Sequence, residues 1–491
     1  MPKYVPSVGM EVHAELLTKS KMFCRCPVAF GGEPNTRTCP ICLGMPGTLP
    51  VPNQAAIEMV IRTALALNCT IAMDSVFHRK NYFYPDLPKG FQVSQYGETN
   101  PLGYKGWLEI PTKEGGTKRI KITRVHLEED TGKLMHLPSG GSGVDFNRAG
   151  VPLMEIVTDF PPDITDPDEA REYLVQLRQI LIYLGVCDGK LEQGSMRCEP
   201  NISIRLEGSE EYGTKTELKN LNSYRSVQNG VRYEVERQAK VLDEGGKVFQ
   251  ETRGWNEQTE TSFLMRTKES EQDYRYFPCP DLVPMKFDDA YIEKLRSELP
   301  ELPLAKTTRF MQEFGLSEDD AVQLVSERAW AEYFEAAVGL GGDPKQVCNW
   351  MNSDFMKLLN ETGQAARVGG IDPDGRELSK VEPSHLVELT KLIQDGTISG
   401  KIAKDVFDEV FKSGKSPKSI VEEKGLTQIS DSSFIEKLVE DVIKENPEPV
   451  ENYRNGKTGV LGFLVGQVMK GSQGRANPQI VQDELKKRLD V

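Results

Sequence analysis

Several features that would place a chain of 491 residues in a familiar class are missing from this sequence. No apolar run approaches the length of about 18 residues that a transmembrane helix needs, so we expect neither a membrane span nor a membrane partner. The first residues do not place a basic segment before an apolar stretch, so no secretory signal is predicted. Cysteine is scarce, with nine residues, and four of these crowd into residues 24–42. This usage indicates a metal site in a reducing cytoplasm rather than a disulfide framework.

Common catalytic motifs are missing as well. The segment 396–402 is similar to a phosphate-binding P-loop, but it is one residue short and lacks the final hydroxyl. No GxGxxG motif follows a predicted strand, and Ser142 is not part of a GxSxG turn. No cysteine outside the cluster is a credible nucleophile. An enzyme with this sequence that acts on ATP or an acyl group must therefore use an unusual fold.

The first part of the chain is rich in short alternating runs. In residues 118–125, Ile120 and Ile122 share one face, and residues 201–206 repeat this pattern. Such a period of two, with many glycines and prolines between the runs, predicts a mostly antiparallel sheet with inserted helices. One inserted helix is predicted at 168–184. We therefore predict an α+β cradle domain over residues 1–295.

The character of the sequence changes at a proline-containing joint, 298–303, beyond which short amphipathic helices are predicted. Ser317 and the Asp343-Pro344 pair are typical helix starts. Apolar residues within 402–411 form two adjacent helical rows, which predicts a buried stripe. A second joint at 412–417 separates a helical domain, 296–412, from a helical tail, 413–491.

Charge distribution favours the tail as the place for any nucleic-acid contact. The whole chain has 60 Lys and Arg residues against 74 Asp and Glu, a formal net charge of −14. A nucleic-acid partner would therefore need a local basic surface. Residues 454–491 contain seven Lys or Arg against three Asp or Glu. An ordinary solvated helical surface would explain the same composition.

The clustered cysteines form two close pairs, Cys24 with Cys26 and Cys39 with Cys42, with twelve residues between the pairs. Two pairs on two turns suit the four tetrahedral ligands of a structural zinc ion. Four protein ligands leave no coordination position open, so we expect zinc to fix an insert at 23–47 rather than to catalyse. The alternative is four reduced thiols that share no metal.

Acidic residues interrupt three predicted strands or strand ends. Strict alternation in 9–15 puts Glu11, His13 and Glu15 on one face. Glu155 interrupts an apolar strand, where an unpaired carboxylate would cost roughly several kcal/mol. It therefore needs a cation or a hydrogen-bonding partner. The consecutive acids at 128–130 follow another strand. Together these groups suit a hard cation such as Mg²⁺, or a softer one such as Mn²⁺ because of the histidine. The alternative is that each acid is solvated or pairs with an arginine.

Two segments, 79–86 and 273–278, combine cationic with aromatic side chains. They suit contacts with phosphate, or else they are packed aromatics beside basic side chains that reach to solvent.

The same segments resemble the B subunit of tRNA-dependent glutamyl/aspartyl amidotransferases. The matching stretches run in order across essentially the whole chain, at residues 8–16, 79–86, 123–133, 147–157, 194–205, 213–223, 273–278, 462–469 and 474–479. The resemblance implies the cradle, helical and tail domains in this order. It also implies a heterotrimer with an A subunit, which hydrolyses glutamine, and a small C subunit, which braces the assembly.

The activity that the resemblance implies is that of an ATP-dependent carbon–nitrogen ligase with glutamine as the amido-nitrogen donor. ATP would phosphorylate the side-chain carboxylate of Glu or Asp misacylated onto tRNA(Gln) or tRNA(Asn), and ammonia from the A subunit would displace the phosphate. The implied cofactors are ATP, Mg²⁺ and a structural Zn²⁺. The implied partners are the A and C subunits and Glu-tRNA(Gln), Asp-tRNA(Asn) or both.

Carried over to this sequence, the resemblance also implies roles for single residues. The expected catalytic metal set is Glu11, His13, Glu129 and Glu155. The cofactor-binding neighbours are Glu128 and Asp130. Lys80 and Arg197 are expected to contact phosphate or the substrate carboxylate. The expected tRNA contacts in the tail are Lys457, Lys470 and Arg475. Glu199 stands where the family has aspartate and is left out of the metal set.

Two other functions compete with the amidotransferase interpretation. A non-catalytic, zinc-stabilised tRNA-binding scaffold would need no carboxylate such as Glu155 inside an apolar strand. A free-standing kinase of a small acid would turn over ATP without tRNA, and the basic tail weakens this alternative.

Overall fold

The computed structural model describes residues 4–97, 101–137, 140–267, 273–366, 376–427, 432–472 and 476–490. The chain divides into two compact units, Met1–Pro303 and Leu304–Val491. Within the described ranges, no helix is both long enough and apolar enough to cross a membrane.

The first unit is dominated by strands. In chain order these are β1 Tyr4–Glu15, β2 Thr70–Ile71, β3 Asp74–Ser75, β4 His78–Asn81, β5 Phe91–Ser94, β6 Gly103–Pro111, β7 Thr117–Glu129, β8 Lys133–His136, β9 Ser142–Asp145, β10 Pro152–Thr158, β11 Met196–Leu206, β12 Thr216–Lys219, β13 Glu251–Asn256, β14 Thr261–Thr267, β15 Phe277–Pro278 and β16 Met285–Lys286. Its helices are α1 Gln54–Ala66, α2 Pro167–Tyr183, α3 Tyr224–Asp243 and α4 Asp289–Ser297.

One large sheet, with strand order β14-β13-β12-β11-β1-β10-β7-β6-β2, organises the first unit. Strands β12 and β13 run parallel, whereas the other neighbouring strands of this sheet run antiparallel. Strands β15, β4 and β5 form a smaller sheet. The predicted mostly antiparallel α+β fold is confirmed.

The two faces of the large sheet differ in polarity because side chains alternate along each strand. On β1, Val8, Met10, Val12 and Ala14 are almost completely buried. They belong to the apolar core to which α1, α2 and α3 contribute residues such as Val60, Leu174 and Val227. Glu11 and His13 point to the opposite face. This face is called the polar face below.

Two glycines allow helix α1 and the turn after it to lie directly on strand β6. A Cβ atom at Gly103 would lie 2.4 Å from Cβ of Ala64, and one at Gly106 would lie 2.3 Å from Sγ of Cys69. Any larger residue would push the helix away from the sheet.

The second unit is helical. Its helices are α5 Pro303–Phe314, α6 Glu318–Val325, α7 Arg328–Gly339, α8 Pro344–Trp350, α9 Met356–Thr362, α10 Pro383–Gln394, α11 Gly400–Ser413, α12 Pro417–Lys424, α13 Ser432–Glu445, α14 Pro447–Arg454, α15 Leu461–Gly471 and α16 Pro478–Leu489, with a π-helical turn at Met351–Phe355 and a 3₁₀ turn at Thr458–Val460. Phe334, Phe355 and Phe407 are buried among its helices. A separate apolar cluster within residues 435–489 includes Leu464 and Leu485.

Several local predictions are confirmed. The helix expected at 168–184 is α2, and the Asp166 carboxylate caps it by accepting a hydrogen bond from the Asp168 amide. Ser317 and Asp343 cap α6 and α8. The apolar stripe of residues 402–411 is buried in α11. The division of the helical part at residue 412 stays a prediction.

Candidate active site

A row of polar side chains crosses four neighbouring strands of the polar face. His126 on β7 is opposite Glu155 on β10, and Glu155 is opposite His13 on β1. His13 is in turn opposite Arg197 on β11. Directly paired residues of antiparallel strands point to the same side of the sheet, so these four side chains lie next to one another. The sheet register therefore brings together residues that are far apart in sequence.

His13 lies at the centre of a carboxylate cluster. Its Nε2 atom is 3.3 Å from a carboxylate oxygen of Glu155, 3.6 Å from one of Glu128 and 3.7 Å from one of Glu11. His126 Nε2 lies 3.6 Å from Glu128 and 3.7 Å from Glu155. The side chains of His126, Glu128 and Glu155 are buried.

The charges in this cluster strongly influence one another. Burial alone would lower the pKa of His13, but the neighbouring carboxylates, Glu155 foremost, raise this pKa to about 9. Burial alone would raise the pKa of Glu155, but His126, His13 and Arg124 hold it well below its ordinary value. Burial and the charge of Glu155 raise the pKa of Glu11. In this arrangement the imidazolium of His13 balances part of the negative charge.

The donor atoms of the cluster fit a divalent cation. Two groups of three candidate ligands share Glu155, namely Glu11 with His13 and Glu155, and His126 with Glu128 and Glu155. Within each group the ligand atoms lie within 4.8 Å of one another. Carboxylate oxygens suit Mg²⁺, and the imidazoles widen the choice to Mn²⁺.

Cationic side chains stand beside the cluster. Arg197 forms an ion pair with buried Asp130, and Arg148 Nε lies 3.6 Å from the same carboxylate. Burial opposes the charge of Lys80, yet Glu128, Tyr276 and Glu155 raise its pKa above the ordinary value. The structure thus brings Lys80, Arg197 and Asp130 to the same site as the carboxylates.

These groups line one cavity of about 680 Å³. Its floor is the polar face of the large sheet, and the smaller sheet contributes Lys80 and Ser94 to its wall. Ser94 Oγ donates a hydrogen bond to Glu128. A volume of this size is typical of a site for a small ligand or cofactor.

Glu129 is not brought to this cavity. It follows Glu128 on β7, so the two side chains leave opposite faces of the sheet. Glu129 forms an ion pair with Lys89 and accepts a hydrogen bond from the Val93 amide at 3.0 Å. It lines a second cavity of about 220 Å³, together with Cys24 and Cys42. Of the two neighbouring glutamates, Glu128 therefore lines the large cavity with the other expected ligands, whereas Glu129, which was expected in the metal set, does not.

Sequence reasoning missed several residues of the large cavity. His126 lies two residues before Glu128 on the same strand, and this spacing alone places both on one face. Glu199 lies in the cavity wall after all, where Lys219 binds it at 2.6 Å. Tyr82, Tyr96, Tyr274 and Tyr276 also line the cavity. Three of these four tyrosines fall in the two cation–aromatic segments singled out from the sequence.

The four clustered cysteines come together beside the smaller cavity. Their sulfur atoms all lie within 4.8 Å of one another. The Cys39 amide donates a hydrogen bond to Cys42 Sγ at 3.1 Å, and buried Lys21 Nζ lies 3.7 Å from the same sulfur. A hydrogen bond from Cys24, aided by these two donors, lowers the pKa of Cys42. A low thiol pKa and four converging sulfurs fit a soft cation such as Zn²⁺.

The tail residues are on the surface where they are described. Lys457 and Lys470 are both exposed, Lys457 shortly before α15 and Lys470 in its last turn. Arg475 lies outside the described residues.

Known protein families match most of the chain, and relatives match nearly all of it. The family described as the GatB/GatE catalytic domain matches residues 6–293, and the family described as the GatB domain matches residues 332–489. The chain is similar to the B subunit of the aspartyl/glutamyl-tRNA(Asn/Gln) amidotransferase of Thermodesulfovibrio yellowstonii, with 53% identity over 99% of both chains. It is 52% identical to the protein of the same name from Caldanaerobacter subterraneus over 99% of both chains. It is 51% identical to the one from Brevibacillus brevis over the full length of both.

The two domain families together match most of the chain, and the similarity to these relatives extends over nearly its whole length. The chain therefore belongs to the family of aspartyl/glutamyl-tRNA(Asn/Gln) amidotransferase B subunits.

Proposed function

We propose that this chain is the subunit that activates the side-chain carboxylate of Glu or Asp on misacylated tRNA with ATP and converts it to the amide. The observation that carries the proposal is the row His126–Glu155–His13–Arg197, which sets cation ligands and a phosphate-binding guanidinium side by side on one cavity floor. A protein that only binds RNA has no need of three carboxylates held around one imidazole.

In the proposed reaction, an oxygen of the substrate carboxylate attacks the γ-phosphorus of ATP, and ADP leaves. Ammonia then attacks the acyl carbon, inorganic phosphate leaves with the electron pair of the broken C–O bond, and the nitrogen loses a proton to give the amide. Phosphoryl transfer depends mainly on positioning and on stabilising charge at the phosphate oxygens.

Residues of this chain would supply both effects. Glu11, Glu128, Glu155, His13 and His126 would hold Mg²⁺, which when bound neutralises and orients phosphate oxygens. Lys80 contributes a positive charge, which the nearby carboxylates of Glu128 and Glu155 favour although its burial opposes it. Arg197 is held in place by Asp130, so its guanidinium can contact a phosphate or the substrate carboxylate without a large loss of side-chain entropy.

The proposal also assigns partners. A credible amidase nucleophile is missing from the sequence, so the ammonia must come from another subunit. We assign this task to an A subunit that hydrolyses glutamine, and we expect a C subunit to complete the heterotrimer. The substrate is Glu-tRNA(Gln), Asp-tRNA(Asn) or both.

The tail is proposed to bind the tRNA body. Lys457 and Lys470, together with Arg475, lie in the part of the chain where basic residues outnumber acidic ones. Lysine contacts with phosphate give affinity that falls with rising salt and carries no sequence information.

Zinc is proposed to hold the insert at 23–47. Four sulfurs converge there, and the insert supplies Ile41, Cys42 and Met45 to the wall of the smaller cavity. Zinc would therefore fix the shape of that wall. Four thiols ready for a metal require a reducing compartment, so we place the chain in the cytoplasm.

The function is tested by ATP hydrolysis in the assembled complex, with and without Glu-tRNA(Gln), at controlled Mg²⁺. We expect ATP turnover only with misacylated tRNA. Glu128→Gln should lower kcat by about 100-fold or more, because one charged group at the phosphate site is lost. ATP turnover that is the same with and without tRNA would indicate a small-acid kinase. No ATP turnover under either condition would indicate a binding scaffold.

Glu129→Gln is the matched control for this variant. The two glutamates are neighbours in sequence, are equally buried at 3% exposure and point to opposite faces of the sheet. We expect Glu129→Gln to leave the Mg²⁺ concentration at half-maximal ATP turnover unchanged. A larger shift of this concentration in Glu129→Gln than in Glu128→Gln would contradict the assignment of ligands.

Zinc binding is tested by metal analysis of the purified chain. We expect one zinc per chain, loss of the metal in Cys39→Ser, and a Tm lower than that of the parent because the insert loses its cross-link. Cys348→Ala, which changes an isolated buried cysteine, should keep its zinc. A parent chain that refolds without zinc and has the same Tm with and without it would refute a structural zinc ion.

The tail assignment is tested by the salt dependence of tRNA binding to the complex. The double variant Lys457→Ala, Lys470→Ala should weaken binding and reduce the slope of log Kd against log salt by about 1 per lost phosphate contact. Lys418→Ala, which changes an exposed lysine outside the basic stretch 454–491, serves as the control. Equal slopes for the parent and the double variant would exclude these two lysines from the tRNA contact.

A further inference from the structure

Four tyrosines form a continuous aromatic cluster on the wall of the large cavity. The rings of Tyr96 and Tyr276 are stacked, with centroids 4.2 Å apart and planes inclined by 11°. Tyr274 meets Tyr276 edge-on at 6.1 Å, and Tyr82 meets Tyr274 edge-on at 6.1 Å. The cluster is named the tyrosine platform below. The activity proposed above gives it no role.

The platform is not part of the apolar core. Tyr96 is 55% exposed, although it lines the cavity. Tyrosines that only fill space in a core are normally buried, whereas exposed and stacked rings are a surface on which a further flat ring can stack. The near-parallel Tyr96–Tyr276 pair has the geometry that such stacking needs.

The backbone holds the platform in place. Strand β15 pairs with β4, so the chain that carries Tyr274 and Tyr276 lies against the strand that carries Lys80. The Asn81 amide donates a hydrogen bond to the Tyr274 carbonyl at 2.9 Å, and its side chain donates one to the Arg275 carbonyl at 2.8 Å. Arg275 between the two tyrosines has φ 45°, a left-handed conformation that is unfavourable for a residue with a side chain. Its neighbours thus impose a specific placement of the two rings.

Lys80 connects the platform with the cation ligands. Its Nζ atom lies 4.9 Å from the centroid of the Tyr274 ring, and its charge interacts with Glu128 and Glu155 on the floor. A ligand with phosphate groups at the floor therefore meets an aromatic surface on the adjacent wall. A nucleotide, which carries both phosphate groups and a planar base, has this combination of groups.

We propose that the tyrosine platform binds the adenine ring of an adenosine, by stacking on the Tyr96–Tyr276 pair. This inference rests on the proposed function, which brings two adenosines to the site. One is part of ATP, and the other is the 3′-terminal nucleotide of tRNA, whose ribose carries the amino acid. Stacking on aromatic side chains contributes binding energy for any base, and purines offer the larger surface.

The test uses the assembled complex and three probes, all with Mg²⁺. The first is AMP-PNP, the second is inorganic tripolyphosphate, and the third is tRNA(Gln) ending in either CCA or CCC. The variants are Tyr96→Ala, which changes an exposed ring and should fold normally, and Tyr276→Leu, which keeps an apolar side chain but removes the aromatic ring. Tyr96→Phe and Tyr276→Phe keep the rings and should behave as the parent.

If the platform holds the adenine of ATP, Tyr96→Ala and Tyr276→Leu raise the Kd of AMP-PNP by about 5- to 150-fold, the range for loss of one stacked base. The Kd of tripolyphosphate should stay unchanged. If the platform holds the terminal adenosine of tRNA, the AMP-PNP affinity stays, and the preference for CCA over CCC is lost in the variants. Either result supports an adenosine site. Phe83→Ala removes a ring that is 91% exposed and does not line the cavity. This variant should change neither the AMP-PNP affinity nor the preference for CCA.

Three results would overturn the inference. The first is unchanged affinity for AMP-PNP and an unchanged CCA preference in both variants. The second is a parallel loss of tripolyphosphate binding, which would indicate that the tyrosines only support the cavity wall. The third is a parent complex that binds neither nucleotide nor the CCA end, and this would remove the proposed function as well. If the parent complex shows tRNA-dependent ATP turnover but the tyrosine variants keep the affinity for AMP-PNP and the CCA preference, the proposed function stands and only the role of the tyrosine platform is refuted.

Discussion

The large sheet holds several carboxylates close together on its polar face. Nearby histidines and the apolar packing of the opposite face make this possible. Two charges 4 Å apart interact by about 4 kcal/mol near a protein surface, so the repulsion between Glu11, Glu128 and Glu155 is substantial unless cations offset it. His13 and His126 offset part of it, since each lies within 3.7 Å of at least two of these carboxylates. The apolar face of the same strands, packed against α1, α2 and α3, provides the burial that stabilises the sheet.

This division of the sheet supports the proposed phosphate chemistry. The carboxylates around His13 raise its pKa and so favour a positive charge at the centre of the cluster, which a divalent cation would also supply. The groups around the cluster are already positioned, because Asp130 holds Arg197 and the smaller sheet holds Lys80. Little reorganisation is then needed when phosphate oxygens arrive, which is the condition for strong electrostatic stabilisation of a transition state.

Much of this could be predicted from the sequence, and the exceptions have physical causes. Alternation along one strand was sufficient to place Glu11 and His13 on one face, and helix capping was sufficient to locate α2, α6 and α8. The pairing of His13 with Glu155 and Arg197 could not be predicted, because register between strands more than 100 residues apart depends on the whole sheet. Glu128 and Glu129 show the same limit on a smaller scale. A shift of one residue along β7 moves a side chain to the opposite face of the sheet. The sequence alone does not say which of the two adjacent glutamates points into the cavity.

The proposed function depends on Glu128 and Glu155, rather than Glu129, as ligands of a cation on the polar face. Anomalous diffraction from crystals of the assembled complex soaked with Mn²⁺ tests it most directly. We predict a peak at coordination distance, about 2.1 Å, from carboxylate oxygens of both Glu128 and Glu155. A peak beside Glu129 and Lys89, or no peak on the polar face at saturating Mn²⁺, would contradict the account.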